Sequence, residues 1–205
     1  MLMALLFLLA YLFGAIPSAV WLGKFFCGKD VREYGSRNSG ATNTFRVLGK
    51  RLGFAVLFFD VTKGYLAVQL AHFLLPDQNN LAILEIAAGL VAVLGHIYSV
   101  FVAFKGGKGV ATSLGVYLAL DFQTILVSML VFFIVFLASR YVSLASMIAA
   151  TSIPFVSYYV FQHDEPVMVF FNLILCALVV FAHRQNIKRL WSGNEPKMNF
   201  SNPKV

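Results

Sequence analysis

Charged residues are scarce in this sequence. Only 12% of its 205 residues are Asp, Glu, Lys or Arg, whereas 60% are hydrophobic and the mean hydropathy is +0.79. A soluble domain typically has about 25% charged residues, and a disordered chain combines low hydrophobicity with high charge. The shortage of charge therefore excludes both classes and indicates an integral membrane protein.

Cysteine is scarce as well. Cys27 lies in a basic polar stretch and Cys176 in an apolar run, and the sequence contains no Cys-x-x-Cys pair. A disulfide framework or a cysteine zinc site needs more cysteines at set spacings. We therefore expect free thiols, no metal and no cofactor. The apolar N-terminus also lacks the basic residues that begin a cleaved signal peptide, so we expect it to be retained as a span.

Long apolar segments predict the architecture, because a helix needs about 20 mostly apolar residues to cross a bilayer. The clear candidates are Leu2–Phe26, Leu52–Leu75, Leu81–Phe101, Phe122–Ala138, Val142–Phe161 and Pro166–Ala182. A shorter apolar piece, Val110–Leu120, ends at Asp121. We expect an all-α integral membrane protein, a polytopic helical bundle that forms a single membrane domain over residues 1–205.

The basic residues predict the topology. Lys and Arg outnumber Asp and Glu by 16 to 9, and they concentrate at about 27–51, at 102–110 and in the 183–205 tail. Cytoplasmic loops carry such an excess, which places these three stretches inside and the N-terminus outside. A chain that starts outside and ends inside crosses an odd number of times. Counting Val110–Leu120 as a short span, tilted or shielded by protein, gives seven helices with a cytoplasmic C-terminus; five spans with re-entrant short segments satisfy the same parity.

The first basic stretch contains Gly35–Arg46, a run rich in glycine and in small hydroxyl and amide side chains. Glycines let backbone N–H groups approach an anion, and Arg46 offers a bidentate fork for phosphate. The same residue types also suit an ordinary turn-rich connector. By itself this run predicts a phosphate site and a plain connector equally.

The second basic stretch places Lys105 and Lys108 around Gly106-Gly107, just before an apolar helix. Free N–H groups at a helix start can bind an anion. The stretch is not a Walker A motif, because Gly109 follows Lys108 where that motif needs Ser or Thr. A flexible hinge with two solvated lysines is the alternative, but the paired lysines favour an anion site.

The third basic stretch begins with His183, where the last apolar helix meets the cytoplasm, and has Asn186 three residues later. Histidine suits general acid–base catalysis or phosphate binding. The alternative is a stop-transfer cluster that anchors the helix to anionic headgroups. We favour the lipid anchor for Lys188 and Arg189, and both interpretations stand for His183 and Asn186.

Two charges interrupt a long apolar segment. Asp60 and Lys63 are three residues apart, and we expect them to pair because charges are costly inside a membrane. Ser143 lies at another inner helix end and can join the same site. His96 fits a satisfied buried histidine and a functional one equally.

Three motifs together resemble the PlsY family, the acyl-phosphate:glycerol-3-phosphate acyltransferases of bacterial membranes, over nearly the whole chain. They are the Gly35–Arg46 run with Ser36, Asn38, Gly40, Thr42 and Asn43; Gly95-His96 leading to the 104–112 stretch; and the 183–190 stretch with Gly193 and Glu195. Asp60-x-x-Lys63-Gly64 and Ser143-Leu144 match as well. Arg37 departs from the pattern where the family commonly has glycine, and Ser99 where it commonly has proline.

The resemblance implies an O-acyltransferase that catalyses the first acylation of bacterial phospholipid synthesis. A fatty acyl group would move from acyl phosphate to the 1-hydroxyl of sn-glycerol 3-phosphate, which gives lysophosphatidic acid and phosphate. The enzyme would lie in the cell inner membrane with its active site facing the cytoplasm. Its expected partners are the two substrates, membrane lipid and, loosely, other enzymes of phospholipid synthesis, but no nucleic acid.

The motifs also supply the predicted site. The predicted catalytic residues are Ser36, Lys105, His183 and Asn186, and the predicted substrate-binding residues are Asn38, Gly40, Thr42, Asn43, Arg46, Gly106, Gly107, Lys108, Gly109 and Ser143. We expect Lys105, Arg46, Ser36 and Asn186 to hold phosphates. The N–H groups of Gly106 and Gly107 would bind the acyl phosphate and stabilise developing negative charge. His183 would orient glycerol 3-phosphate or assist proton transfer, unless a substrate phosphate oxygen takes the proton.

A small transporter or flippase for a phosphorylated solute or lipid is the rival function, since basic residues and broken helices also suit transport. The sequence shows no obvious inverted repeat, and its polar motifs cluster on one face instead of at the midplane. A purely structural membrane protein would leave the Gly-Ser-Asn run unexplained.

Overall fold

A computed structural model describes residues 1–199, and this part of the chain is helical without a strand. The α-helices are α1 (Leu2–Ala15), α2 (Ser18–Cys27), α3 (Ala41–Leu48), α4 (Lys50–Leu74), α5 (Leu81–Ile97), α6 (Val110–Leu120), α7 (Phe122–Ser139), α8 (Val142–Phe155), α9 (Pro166–Ala182) and α10 (Arg184–Trp191). Short 3-10 turns form at Val31–Glu33 and Val100–Val102, and a π-helical turn, Val156–Val160, extends α8. The all-α prediction is confirmed. The end of the predicted cytoplasmic tail, 200–205, lies outside the described residues.

The predicted apolar segments are helical, with one correction. The segment Leu2–Phe26 is not one helix, because it breaks between α1 and α2 with a bend of 44°. Pro17 explains the break, since proline lacks a backbone N–H and clashes with the preceding turn. Likewise, the basic stretch 27–51 is not all loop, because it contains α3 and the first two residues of α4.

Within residues 1–199, four helices are long and apolar enough to cross a membrane: Lys50–Leu74, Leu81–Val102, Phe122–Ser139 and Val142–Val160. The number rises to six if the bent pairs α1–α2 and α9–α10 each count as one span. The shorter α6 is separate from α7, as predicted, since the chain leaves the helix at Asp121 and Asp121 Oδ1 accepts a hydrogen bond from Thr124 N, 3.0 Å away.

The chain forms two compact units, one containing Met1–Ala119 and the other Leu120–Met198. In the first unit, glycines let helices approach closely. A β-carbon on Gly14 of α1 would collide with the backbone of Ala92 in α5, and one on Gly64 of α4 with the carbonyl of Thr112 in α6. Such small-residue contacts drive helix association where the surroundings are as apolar as the side chains.

The short helix α6 is sheltered by its neighbours in this unit. A β-carbon on its Gly115 would collide with the carbonyl of Val61 in α4, and Val116 packs on Gly89 of α5. Eleven residues span only about 16 Å, roughly half the apolar thickness of a bilayer. Burial against α4 and α5 explains how so short an apolar helix is accommodated.

The second unit consists of α7, α8, α9 and α10 with the connections between them. Asp121, which caps α7, is also 2.9 Å from His163 Nδ1, so the segment that follows the π-helical turn is tied to the start of α7. Inside the unit, Ser152 donates a hydrogen bond to Ser128 across α8 and α7 at 3.3 Å.

Candidate active site

In the first unit, the run Gly35–Arg46 is organised by Asn43. Its side chain is 1% exposed. Its Oδ1 accepts a hydrogen bond from the Ser36 backbone N–H (2.8 Å), and its Nδ2 donates to the carbonyls of Val31 (2.7 Å) and Tyr34 (3.1 Å). Both amide hydrogens are therefore already donated within the loop. We revise the predicted role of Asn43 from binding substrate to positioning the loop.

The other predicted residues of this run remain accessible. Ser36, Asn38, Thr42 and Arg46 are half-buried. Gly40 precedes α3 and its carbonyl accepts the backbone N–H groups of Asn43 and Thr44. Thr42 and Arg46 are four residues apart on α3 and so share one face of that helix.

Arg37 adopts a left-handed backbone conformation, with φ +58°. An L-residue with a side chain pays a steric cost there that glycine avoids. This explains physically why the related family commonly has glycine at this position. Ser99, the second departure, has φ −69° and ψ 122°, which proline also adopts. Its hydroxyl donates to the carbonyl of Ala15, 2.5 Å away, a bond that proline would lack.

The second basic stretch is held by the end of α5. The Gly106 N–H donates to the carbonyl of Ile97 and the Gly107 N–H to the carbonyl of His96, both at 3.0 Å. The two N–H groups predicted to bind the acyl phosphate therefore already donate hydrogen bonds within the protein. A β-carbon on Gly107 would collide with the ring of His96 at Nε2, so this close approach requires glycine.

The start of α6 keeps the features of an anion site. Gly109 has φ +80° and turns the chain into the helix, and its carbonyl accepts the Ser113 N–H at 2.7 Å. The first N–H groups of a helix have no intrahelical partner. The hydroxyls of Thr112 and Ser113 in this turn are buried and have no hydrogen-bond partner among the described residues. Sequence reasoning gave neither hydroxyl a role, although Thr112 lies only three residues beyond Gly109.

Four buried side chains, Ser18, Asp60, Lys63 and His96, form what we call the Asp60 cluster. Asp60 Oδ1 accepts hydrogen bonds from Ser18 Oγ at 2.5 Å and from Lys63 Nζ at 2.8 Å, and it lies 3.7 Å from His96 Nδ1. Lys63 Nζ also donates to the carbonyl of Ile16 at 2.9 Å, at the break between α1 and α2. The predicted pairing of Asp60 with Lys63 is confirmed, and the Lys63 ammonium shares the Ile16 carbonyl with the Ser18 N–H.

The Asp60 cluster borders a small crevice that both polar loops reach. Ser39 from the first basic stretch, and Gly106 and Gly107 from the second, line it together with Ser18, Asp60 and His96. The crevice therefore joins the first two motifs to buried charged groups in one unit. Sequence reasoning left His96 undecided and gave Ser18 no role, although a serine directly after Pro17 in an apolar segment was a signal for a polar contact.

In the second unit, the buried carboxylate of Glu195 forms hydrogen bonds with Ser143 and with two polar residues of the tail. Its Oε1 accepts hydrogen bonds from Ser143 Oγ and Asn186 Nδ2, and its Oε2 accepts one from Arg189 Nε, all at 2.7 Å. Burial raises the pKa of Glu195, but these three hydrogen bonds outweigh it and hold the pKa below its ordinary value. Sequence reasoning gave Glu195 no role, though it is the only carboxylate in the basic tail.

These contacts bear on three predictions. The single hydroxyl hydrogen of Ser143 is donated to Glu195, so we revise its role from substrate binding to positioning. Asn186 also donates to Glu195, and its catalytic role stays a prediction. Arg189 is bound to Glu195 and only partly exposed, so the lipid anchor predicted for it does not fit, whereas Lys188 is exposed.

His183 lies at the bend of 56° between α9 and α10 and is 2% exposed. Its Nδ1 is 2.8 Å from the carbonyl of Val179. A carbonyl only accepts, so Nδ1 carries the hydrogen, and in the neutral ring Nε2 then holds a lone pair.

Comparisons with known proteins agree on one family. A family model described as glycerol-3-phosphate acyltransferase matches residues 4–193. Curated relatives with that name include one from Fusobacterium nucleatum, 48% identical over 94% of this chain and 96% of its own, and one from Macrococcus caseolyticus, 44% identical over 96% and 97%.

Solved structures give the same result. The crystal structure of PlsY (YgiH), described as an integral membrane glycerol 3-phosphate acyltransferase in its glycerol 3-phosphate form, has a TM-score of 0.87 at 39% identity and covers 96% of both chains. The lysophosphatidic acid form of PlsY has a TM-score of 0.83 at 38% identity, over 97% of this chain and 96% of that chain.

Proposed function

The chain belongs to the glycerol-3-phosphate acyltransferase family, and on that premise we propose that it transfers a fatty acyl group from an acyl phosphate to the 1-hydroxyl of sn-glycerol 3-phosphate. The products are lysophosphatidic acid and inorganic phosphate. The observation that carries the proposal is the likeness, over 96% or more of this chain, to a protein solved in a glycerol 3-phosphate form and a lysophosphatidic acid form. Those two compounds are the acceptor and the product of this reaction.

The reaction needs little from the enzyme beyond the positioning of its two substrates. The acyl phosphate is a mixed anhydride and already activated. The 1-hydroxyl oxygen bonds to the acyl carbon, the bond from that carbon to the phosphate oxygen breaks, and phosphate leaves with the electron pair. The hydroxyl proton goes to His183 Nε2 or to a phosphate oxygen. Holding the two reactants in line can supply much of the rate.

In the first unit, we assign the phosphates to cationic and hydroxyl groups. Arg46 and Lys105 provide charge, and Ser36 and Thr42 provide hydroxyl donors, with Asn38 and Gly40 shaping the loop. The anion contacts first expected at Gly106 and Gly107 move to the start of α6, next to Lys108 and Gly109, where Thr112 and Ser113 hold buried hydroxyls. The Asp60 cluster lines the same crevice as these loops and helps to position them.

In the second unit, His183 and Asn186 act on the same reaction. The Nδ1–H of His183 donates to the carbonyl of Val179 and fixes the ring, which we assign to orienting glycerol 3-phosphate or to proton transfer. Glu195 and Ser143 hold the amide of Asn186 in place. We assign Asn186, fixed in this way, to a phosphate or to the developing oxyanion.

We further propose a topology of seven crossings, with the N-terminus outside and the active site facing the cytoplasm, in the inner membrane. The support is the segregation of basic residues to 27–51, 102–110 and the tail, and the separation of α6 from α7. Exposed Cys27 provides a test. In a Cys176→Ser background, a membrane-impermeant maleimide should label Cys27 in inside-out vesicles but not in right-side-out ones; the reverse pattern would overturn the orientation.

The reaction itself is tested with purified protein by comparing acyl phosphate, acyl-CoA and acyl carrier protein as donors. We expect phosphate release only from acyl phosphate and only when glycerol 3-phosphate is present. Lys105→Ala should raise KM for at least one phosphorylated substrate, and Lys105→Arg should restore part of the loss. Efficient transfer from acyl-CoA, or phosphate release without the acceptor, would overturn the donor assignment.

A further inference from the structure

One face of α10 is apolar and basic and points away from the protein. Arg184, Ile187, Lys188 and Trp191 occur at the i, i+3, i+4, i+7 spacing that puts side chains on one side of a helix. All four are exposed, and Trp191 is 92% exposed. The other side of the helix carries the buried Asn186 and the Arg189–Glu195 ion pair. The apolar residues Ile187 and Trp191 therefore face away from the protein, whereas the polar Asn186 is buried against it.

The position of this face is set by α9. The apolar helix α9 ends at Ala182, and α10 departs from its direction by 56°. The Arg184 guanidinium lies 4.7 Å from the centre of the Phe181 ring, the last aromatic residue of α9. Since Phe181 is itself exposed among apolar residues, α10 begins at the boundary between apolar and polar surroundings. At that boundary the 56° bend turns α10 away from the direction of α9.

The residue types fit that surface. Tryptophan and isoleucine suit the boundary between headgroups and acyl chains, while arginine and lysine extend to the phosphates. The α10 sequence contains three basic residues, two polar amides and no carboxylate, so the outward face complements negative charge only. Juxtamembrane Lys and Arg are attracted to anionic lipid in this way.

We propose that the α10 face formed by Arg184, Ile187, Lys188 and Trp191 docks on a bilayer surface containing anionic phospholipids. Because α10 directly follows His183 and carries Asn186 on its other side, docking also fixes the orientation of both. That second consequence rests on the proposed function, whereas the docking itself does not.

The test uses the full chain, with Trp21→Phe, in bilayer nanodiscs of phosphatidylcholine alone or of equal parts phosphatidylcholine and phosphatidylglycerol. The sequence contains two tryptophans, so this background reports Trp191 alone. In anionic nanodiscs we expect Trp191 emission to shift to shorter wavelength and to resist an aqueous quencher. Arg184→Gln/Lys188→Gln should lose this difference, and Lys50→Gln/Arg51→Gln, which also removes two basic charges, should keep it.

Other outcomes count against the proposal. Equal Trp191 protection in both bilayers would show that anionic lipid is not the occupant, and equal exposure in both would show that the face does not dock. If inorganic phosphate protected Trp191 in phosphatidylcholine nanodiscs, Arg184 and Lys188 would bind a free anion and not a lipid headgroup. Acyl transfer is measured in parallel: protection without any transfer from acyl phosphate would sink the proposed function but leave the docking intact.

Discussion

Lys63 Nζ lies 2.8 Å from Asp60 Oδ1 inside α4, and both side chains are almost completely shielded. A buried ion pair owes its persistence to further hydrogen bonds, and here Ser18 and the carbonyl of Ile16 supply them. The pair therefore ties α4 to the break between α1 and α2. Asp60 also lines the crevice that the two polar loops reach. Its energetic role is testable by breaking it in two different ways.

Asp60→Asn should lower the free energy of unfolding in detergent by about 3 kcal/mol or more, because it leaves the Lys63 charge buried without its partner. The double variant Asp60→Asn/Lys63→Gln removes both charges and keeps a donor for the Ile16 carbonyl. We expect it to recover most of the lost stability in denaturant titrations. A double variant no more stable than Asp60→Asn would show that the charges are not coupled.

Arg37→Gly should raise stability by about 1 kcal/mol, because Arg37 holds a left-handed φ of +58° that costs an L-side chain energy. Arg37→Ala is the matched control, since it removes the charge but keeps the β-carbon. Thermal unfolding should show a gain for glycine and none for alanine. An equal gain in both would assign the effect to charge.

Sequence reasoning reached the helices and the basic loops because apolar length and charge position are direct physical signals. It also placed Asp60 with Lys63, since a charge inside an apolar helix needs a partner. The sequence does not show which backbone N–H groups already have an acceptor in the folded protein. The N–H groups of Gly106 and Gly107 look available in a glycine-rich sequence, and only the fold shows that the end of α5 accepts both.

The same limit applies to the tail. A glutamate twelve residues beyond His183 gives no periodic signal, because the chain turns back after α10 before Glu195 reaches Ser143 and Asn186. The break at Pro17 was a local signal, and proline chemistry alone explains it. Contacts between residues distant in sequence are what the structure adds.

Glu195→Gln should destabilise the protein by about 2 kcal/mol near neutral pH, since it removes the charge that accepts three hydrogen bonds. The effect depends on pH. The pKa of Glu195 is lowered by folding, so its stabilisation is complete above the unfolded pKa of about 4.3 and is lost as pH falls through the folded value.

The stability difference between wild type and Glu195→Gln should therefore shrink as the pH falls below about 4.3. Thermal unfolding across this range measures it, and subtracting the variant removes the contribution of every other carboxylate. A difference that is constant with pH would mean that the ionised state of Glu195 does not stabilise the fold.

The roles of the two ring nitrogens of His183 can be tested separately. His183→Asn keeps a donor near Nδ1 for the carbonyl of Val179 but removes the acceptor at Nε2. If Nε2 takes the hydroxyl proton, kcat should fall about a hundredfold or more, in the range of general-base contributions, while thermal stability changes little.

The contrasting outcome identifies the other base. If kcat stays within a few-fold of wild type and only KM for glycerol 3-phosphate rises, His183 orients the acceptor and a phosphate oxygen takes the proton. His183→Ala then serves as the comparison, since it also removes the bond to Val179 and should lose stability as well as activity. Since His183→Asn keeps the donor to Val179, a fall in kcat at unchanged stability would assign proton transfer to the ring.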